Sequence, residues 1–402
     1  MTSVHSAEHG LMYVIPRERK ITRLYVQLDE INPDERSGRI DRSNITPELI
    51  IDTARRIFAP YTLSYKHCEW YTAYQIGRRV GTAYHKFNRV FLAGDAVHTH
   101  SPRGGQGKNL SMHDTYNLGW KIGLVLKNMS PRTILTTYES ERRQVAQDLI
   151  DFDRLVGDPV SGKCVTNDGE SIRKIDPNRL GMMSGAFYGG FTVNYDKSLL
   201  IAKEAQEREG VAWTRDVTNK IQVGMRFPNL QVLKQSDGSV WRFLHWMKND
   251  GRFRIILFTG DIKDPAQKER IQSFCDCLEK KDSFLKRVTP PKAKIDSVIE
   301  ILTLHYSPRT ASNILDFPDL LHPLDEDMGW DYDKIFVDDA SVHYGHAYAY
   351  QSYGVDPKKG RVVILRPDQY VAYTGEIEDI ASIERYFKDV LFDGSEHRPM
   401  RG

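Results

Sequence analysis

Residues 89–121 read RVFLAGDAVHTHSPRGGQGKNLSMHDTYNLGWK, and the fold turns on them. An apolar run from Val90 to Ala93 ends in Gly94-Asp95. A polar loop with His98, His100 and Pro102 follows, then Gly104-Gly105-Gln106-Gly107 and a long helical pattern. A strand with a carboxylate at its carboxyl end, a glycine-rich turn and a helix start are the parts of a ligand site at a sheet edge. Gly104, Gly105 and Gly107 permit close backbone approach. The helix start offers free N–H groups to an anionic ligand. On Gly-Asp alone, a plain loop cap fits as well.

Working outward, the chain has 402 residues, enough for two or three domains with real cores. An apolar content of 40% and a net charge of +2 describe an ordinary globular protein. They give no electrostatic reason to expect nucleic acid or an anionic membrane as partner. The opening MTSVHSAEHG lacks the pattern of a secretory signal, and the apolar runs at 122–126 and 255–258 are too short to span a bilayer. Four cysteines, Cys68, Cys164, Cys275 and Cys277, are sparse and fit a reducing, cytoplasmic compartment. Cys275-Asp276-Cys277 is C-x-C without a second pair, and His98, His100 and His113 lack the spacing of a metal-binding pair. No metal is expected.

Upstream, residues 11–15 and 21–28 read as a hairpin with PRERK as its turn. Alternation places Arg23 and Tyr25 on one face and Leu24 and Val26 on the other. The polar face suits either a cleft wall or plain solvent. Thr46-Pro47 opens a helix that Ala59-Pro60 stops. Residues 62–80 have strand-like patterning around Trp70, Tyr71 and Tyr74. Downstream, residues 109–127 read as a mostly buried helix and a second helix begins near Pro131. Residues 157–220 read as an irregular connector with one helix near 199–208. From about residue 221, strands at 253–258, 298–305 and 334–337 alternate with helical segments at 240–249, 265–278 and 347–353. A hairpin around Arg366-Pro367-Asp368-Gln369 closes the series. The class is α/β (with α+β character), and this last order is thioredoxin-like. Thr259-Gly260-Asp261 follows the strand at 253–258 where a redox domain would need C-x-x-C, so dithiol chemistry is excluded.

The stretch at 89–126 resembles the second flavin motif of the phenol 2-monooxygenase family, FAD-dependent aromatic hydroxylases of the p-hydroxybenzoate hydroxylase fold. The resemblance extends through IPRERKITRLYVQLDE, WYTAYQIGRRV, GRFRIILFTGD, YDKIFVDDASVHYGHAYAYQSYGVDP and LRPDQYVAYTGE. It implies four segments: residues 1–85 from a substrate-binding sheet domain, 86–156 from the FAD-binding domain, 157–220 a connector, and 221–402 a thioredoxin-like dimerisation domain. Asp95 would bind the ribityl chain of FAD, and Gly105, Gln106, Gly107, Lys108 and Asn109 would hold the flavin ring. Arg17 and Tyr25 would be catalytic; Tyr25, Arg23 and Pro102 would contact the substrate, with Tyr25 also beside the cofactor. The family usually has methionine where this chain has Lys108. It uses NADPH to reduce FAD and O2 to hydroxylate a small phenolic substrate, and works as a homodimer. No G-x-G-x-x-G follows a strand here, so the ADP-binding Rossmann segment is expected to be missing and the chain to be truncated. The alternative expectation is a catalytically inactive short relative serving as a dimerisation scaffold.

Overall fold

A computed structural model describes residues 2–28, 45–73, 77–100, 107–160, 185–187, 189–203, 212, 219–342 and 348–393, the side chains of 155–160 excepted. The described residues within 1–78, 100 and 151–160 form one compact unit, and those within 79–99, 107–150 and 185–393 form a second.

In the first unit, β1 (Thr2–Ser6), β2 (Gly10–Pro16) and β3 (Thr22–Val26) form an antiparallel sheet in that order. The hairpin is the expected one, with a single 3-10 turn, Glu18–Lys20, inside PRERK. β1 was not legible as a strand. Register sets Val4 opposite Met12, and Met12 and Val14 opposite Val26 and Leu24. Because side chains alternate, these residues share one face. They bury Ala54 and Ile57 of helix α1 (Pro47–Phe58). The helix starts where the sequence indicates: the Leu49 N–H donates to Thr46 Oγ1 at 3.3 Å, and Pro47 occupies the first turn. Residues 62–73 are not a strand: they are irregular, and Trp70 is 70% exposed. Aromatic content there imitates a strand without a partner to pair with.

The second unit opens with two-residue pairings, β4 (Arg79–Val80) with β7 (His98–Thr99), and β5 (His85–Lys86) with β6 (Val90–Phe91). The strand expected at 89–93 thus shrinks to Val90–Phe91, and Gly94–Ala96 forms a 3-10 turn. Helix α2 (Gly107–Leu126) follows, then α3 (Thr137–Val160), of which the part up to residue 150 belongs to this unit. Residues 199–203 are not helical; the rest of the helix expected at 199–208 lies outside the described residues.

The remainder is built on β8 (Gln231–Lys234), β9 (Val240–Arg242), β10 (Phe253–Gly260) and β11 (Ile299–His305), then a small ribbon, β12 (Leu324–Asp325) with β13 (Gly329–Trp330). It is completed by β14 (Ile335–Val337), β15 (Arg361–Leu365) and β16 (Val371–Gly375). The large sheet has the order β16-β15-β10-β11-β14-β8-β9. β10, β11 and β14 run parallel at its centre, with antiparallel flanks. FRIILF is a continuous apolar run because both its faces are covered. Ile255 and Leu257 pack towards Ile271, Phe274, Ile383 and Phe387 of the helices Pro265–Glu279 and Ile380–Val390. Ile256 and Phe258 meet Phe243, Tyr350 and Tyr353 on the opposite face. The helix expected at 240–249 begins as β9 and turns helical only over Phe243–Trp246. At the end of β10, Gly260 has φ of +71°, and a side chain there would strike the Pro357 carbonyl. No helix is long and apolar enough to cross a membrane among the described residues.

Candidate functional site

Helix α2 organises the second unit. Its buried stripe contains Leu110, Leu118 and Leu124 at helical spacing, but also Asp114, Asn117 and Lys121. Buried charges persist only when paired. Each of these three finds at least one partner on another element.

Asp114 is fully buried. Its Oδ2 accepts from the Gly94 N–H at 3.2 Å and from His98 Nε2 at 2.7 Å, and its Oδ1 accepts from Arg142 Nε at 2.7 Å. Burial would raise the Asp114 carboxyl, but the His98 bond and the Arg142 guanidinium hold it below the usual carboxylate range. The Gly94-Asp95 turn is therefore fastened to α2. Gly94 has φ of +60°, and a β-carbon there would lie 2.7 Å from Ser111 Oγ and 2.8 Å from Ser111 Cβ. Only glycine allows so close a seat on the helix. Asp95, the next residue, is exposed, and its carboxylate takes no hydrogen bond among the described residues.

Glu141, the neighbour of Arg142 on α3, holds the second half of the cluster. Its Oε2 accepts from Asn117 Nδ2 at 2.6 Å, Lys121 Nζ at 2.9 Å and Arg366 Nη2 at 2.9 Å; its Oε1 accepts from Arg366 Nη1 at 2.6 Å. Arg366 also donates to both oxygens of Asp368, at 3.0 and 2.6 Å. Its guanidinium lies over Trp120, Tyr195 and Tyr370, 5.2–5.7 Å from their ring centres. Burial opposes ionisation of Glu141, yet Arg366 and then Lys121 outweigh it and hold the carboxyl at about 2. Lys121 is drawn down to about 8, chiefly by burial, with Glu141 opposing the shift. Arg142 Nη1 donates to the Tyr195 hydroxyl at 3.1 Å, joining the halves. Nothing in the sequence announces this cluster: Glu141 and Arg366 stand 225 positions apart. The one available signal was three polar residues on the apolar stripe of α2.

The anticipated site residues divide between the units. Asp95, Gly107, Lys108 and Asn109 share the second unit, where the Gly94–Ala96 turn packs on α2 and the other three form its first turn. Lys108 and Asn109 are exposed. Arg17, Arg23 and Tyr25 belong to the first unit. Arg23 and Tyr25 lie on the β3 face away from α1, opposite Ile15 and Tyr13. Arg17 is 3.2 Å from Glu18, and Tyr25 is 36% exposed. Pro102, Gly105 and Gln106 lie outside the described residues. Of the loop histidines, His98 is committed to Asp114. Among the described residues no group of three His, Cys, Asp or Glu side chains is placed to hold a metal.

The Gly-Asp turn seated on a helix, followed by the large mixed sheet, makes this an α/β protein. Known families match both parts of the chain. The family described as FAD binding domain matches residues 1–153, and that described as phenol hydroxylase, C-terminal dimerisation domain, matches residues 193–395. The phenol 2-monooxygenase fsqG of Aspergillus fumigatus is 34% identical over 384 residues, covering 96% of this chain and 61% of that protein. The 3-hydroxybenzoate 4-monooxygenase of Comamonas testosteroni is 34% identical over 400 residues, covering 96% and 60%. The flavin-dependent monooxygenase PieE, solved with FAD and substrate, shares the fold at a TM-score of 0.54 and 17% identity, covering 96% of this chain and 59% of that one. The chain belongs to the class A FAD-dependent aromatic hydroxylases of the phenol 2-monooxygenase family. It spans about three-fifths of the length of the relatives it matches, 61% and 60% for the two named.

Proposed function

We propose that this chain carries the flavin-side and substrate-side parts of an FAD-dependent monooxygenase that hydroxylates a small phenolic substrate with O2, using NADPH as reductant. The observation that carries the reading is the Gly94-Asp95 turn, fastened through Asp114 to the helix whose first turn holds Gly107, Lys108 and Asn109. The residues fit the group. A φ-positive glycine without room for a side chain holds an exposed carboxylate that no described protein group occupies. Such a carboxylate accepts hydrogen bonds from a polyhydroxyl chain. A helix start favours negative charge on the adjoining ligand.

Bound FAD would supply the redox and oxygen-activating chemistry; the protein positions, desolvates and moves protons. Asp95 would hold the ribityl hydroxyls, and Gly105, Gln106, Gly107, Lys108 and Asn109 the ring. Tyr25 would orient the phenol through its hydroxyl, with Arg17 and Arg23 favouring the phenolate. Pro102 would line the substrate's approach, and Tyr25 would also border the cofactor. The match of residues 193–395 to a dimerisation domain supports a homodimer. The sparse cysteines support a cytoplasmic setting.

The first test is titration with FAD, followed by flavin fluorescence and absorbance. Weak binding is expected in the wild type, with affinity at least tenfold lower still in Asp95→Ala. A protein that binds no FAD, or an Asp95→Ala variant that binds it equally well, refutes the reading. In the FAD-loaded protein, Tyr25→Phe should depress phenol-dependent hydroxylation while leaving FAD affinity unchanged. Unaltered turnover would remove Tyr25 from the catalytic set.

A further inference from the structure

The six buried charges beside α2 balance: Lys121, Arg142 and Arg366 against Asp114, Glu141 and Asp368. They form one connected path. Arg366 grips Glu141 with two hydrogen bonds, and Glu141 takes Asn117 and Lys121 of α2. Lys121 in turn donates to Asn117 Oδ1 at 2.8 Å. One helical turn before Asn117, on the same helix, Asp114 holds the backbone of Gly94. A parallel route runs from Asn117 to the Tyr195 hydroxyl and from Arg142 to that hydroxyl and to Asp114.

Apolar packing alone tolerates small sliding of one helix along another, because its contacts have no direction. Charge-assisted hydrogen bonds do not tolerate it: they have narrow distance and angle limits, and a buried partner left behind has no water to turn to. The cluster therefore fixes both the rotation and the axial register of α2 against α3 and against the turn that contains Arg366. The Gly94 bond to Asp114, at 3.2 Å, has little slack before it ceases to be a hydrogen bond. Ser111 of the same helix lies directly under Gly94. A shift of α2 by a fraction of an ångström would thus release or displace Gly94, and Asp95 with it.

We propose that Arg366 is a positioning residue for the flavin side of the site: through Glu141, Asn117, Lys121 and Asp114 it sets where the Gly94-Asp95 turn presents its carboxylate. This inference rests on the FAD reading above for its functional half, and on geometry alone for its structural half. It gives the region matched as a dimerisation domain a second task, because Arg366 lies within residues 193–395.

The two halves separate experimentally. Hydrogen exchange at the Gly94–Ala96 turn, measured by mass spectrometry without flavin, reads the structural coupling. FAD titration of the same preparations reads the functional one. Three variants are compared with wild type. Arg366→Lys keeps the charge but not the paired donors. Arg366→Met/Glu141→Leu removes one charge of each sign, leaving Lys121 and Asp368 as the opposite charges that remain. Arg254→Met breaks a different buried pair, with Glu300, in the central sheet, and serves as the control for general destabilisation.

Exchange at the turn should rise at least tenfold in Arg366→Met/Glu141→Leu and to a lesser degree in Arg366→Lys, and stay at the wild-type rate in Arg254→Met. FAD affinity should fall about tenfold in parallel. Wild-type exchange at the turn in both folded Arg366 variants overturns the proposal, as does an equal rise in Arg254→Met. Faster exchange with unchanged FAD affinity overturns the positioning role. A wild-type protein that binds no FAD refutes the FAD reading instead, and the exchange arm then decides the coupling by itself. Should the double variant fail to fold, Arg366→Lys carries the same decision.

Discussion

Glu141→Gln tests the buried cluster through its pH dependence. The carboxyl of Glu141 goes from 4.5 in the unfolded chain to about 2 in the folded one, because Arg366 and Lys121 overcome the cost of its burial. A folded value below the unfolded one means that stability is fully present above about pH 4.5 and is lost as pH falls towards 2. A shift of this size corresponds to roughly 3 kcal/mol at pH 7, of which about 2 kcal/mol is gone by pH 3. Glu141→Gln keeps the shape but has no charge to lose. At pH 7 it leaves Arg366 and Lys121 less well compensated, a change that costs about 3 kcal/mol in buried pairs. The difference in unfolding free energy between wild type and variant should therefore be largest at neutral pH and shrink by about 2 kcal/mol at pH 3. Urea unfolding followed by circular dichroism at pH 7, 5, 4 and 3 measures that difference. Carboxylates outside the cluster titrate alike in both proteins and cancel in the comparison. A gap that stays constant from pH 7 to pH 3 would show that Glu141 is not held ionised by these partners, and the reasoning would fail.

Three further outcomes are expected. Gly94→Ala places a β-carbon against Ser111 at a positive φ, and should cost on the order of 2 kcal/mol by thermal unfolding; Ser111→Gly in the same chain should recover part of it, and no recovery would exclude that contact as the cause. Asp338 accepts from the Ala349 and Tyr350 N–H groups at 2.9 and 2.8 Å, capping the helix Ala349–Tyr353; Asp338→Ala should lose about 1–2 kcal/mol in urea titrations, and a neutral result would reject the cap. Cys275 is buried within the sheet core and its thiol is pushed up by that burial, whereas Cys68 is exposed. Peptide mapping after brief alkylation of the native protein should find Cys68 labelled and Cys275 intact, with Cys275 reacting only after denaturation.

Much of the local architecture is legible in the sequence because its causes are local. Thr46-Pro47 and Ala59-Pro60 set the bounds of α1, since a cap and a proline act within one turn. The alternation Leu24, Val26 against Arg23, Tyr25 gives the inner face of β3, because a strand repeats every second residue. FRIILF announces a doubly covered strand. Expectations failed where structure depends on a partner far along the chain. Residues 62–73 have the composition of a strand but no neighbour to pair with, while β1 has plain, polar composition and becomes a strand because β2 folds back on it. The polar members of the buried stripe of α2 likewise depend on distant partners. A periodicity reading puts apolar residues inside and charges outside, so Asp114, Asn117 and Lys121 read as misplaced polar residues on an apolar stripe. What reverses the assignment is Glu141 and Arg142 on α3 and Arg366 in the closing turn, which supply the opposite charges that water would otherwise provide. Local pattern thus identifies the piece that bears Asp95, while the groups that hold that piece in register become visible only once the chain has folded.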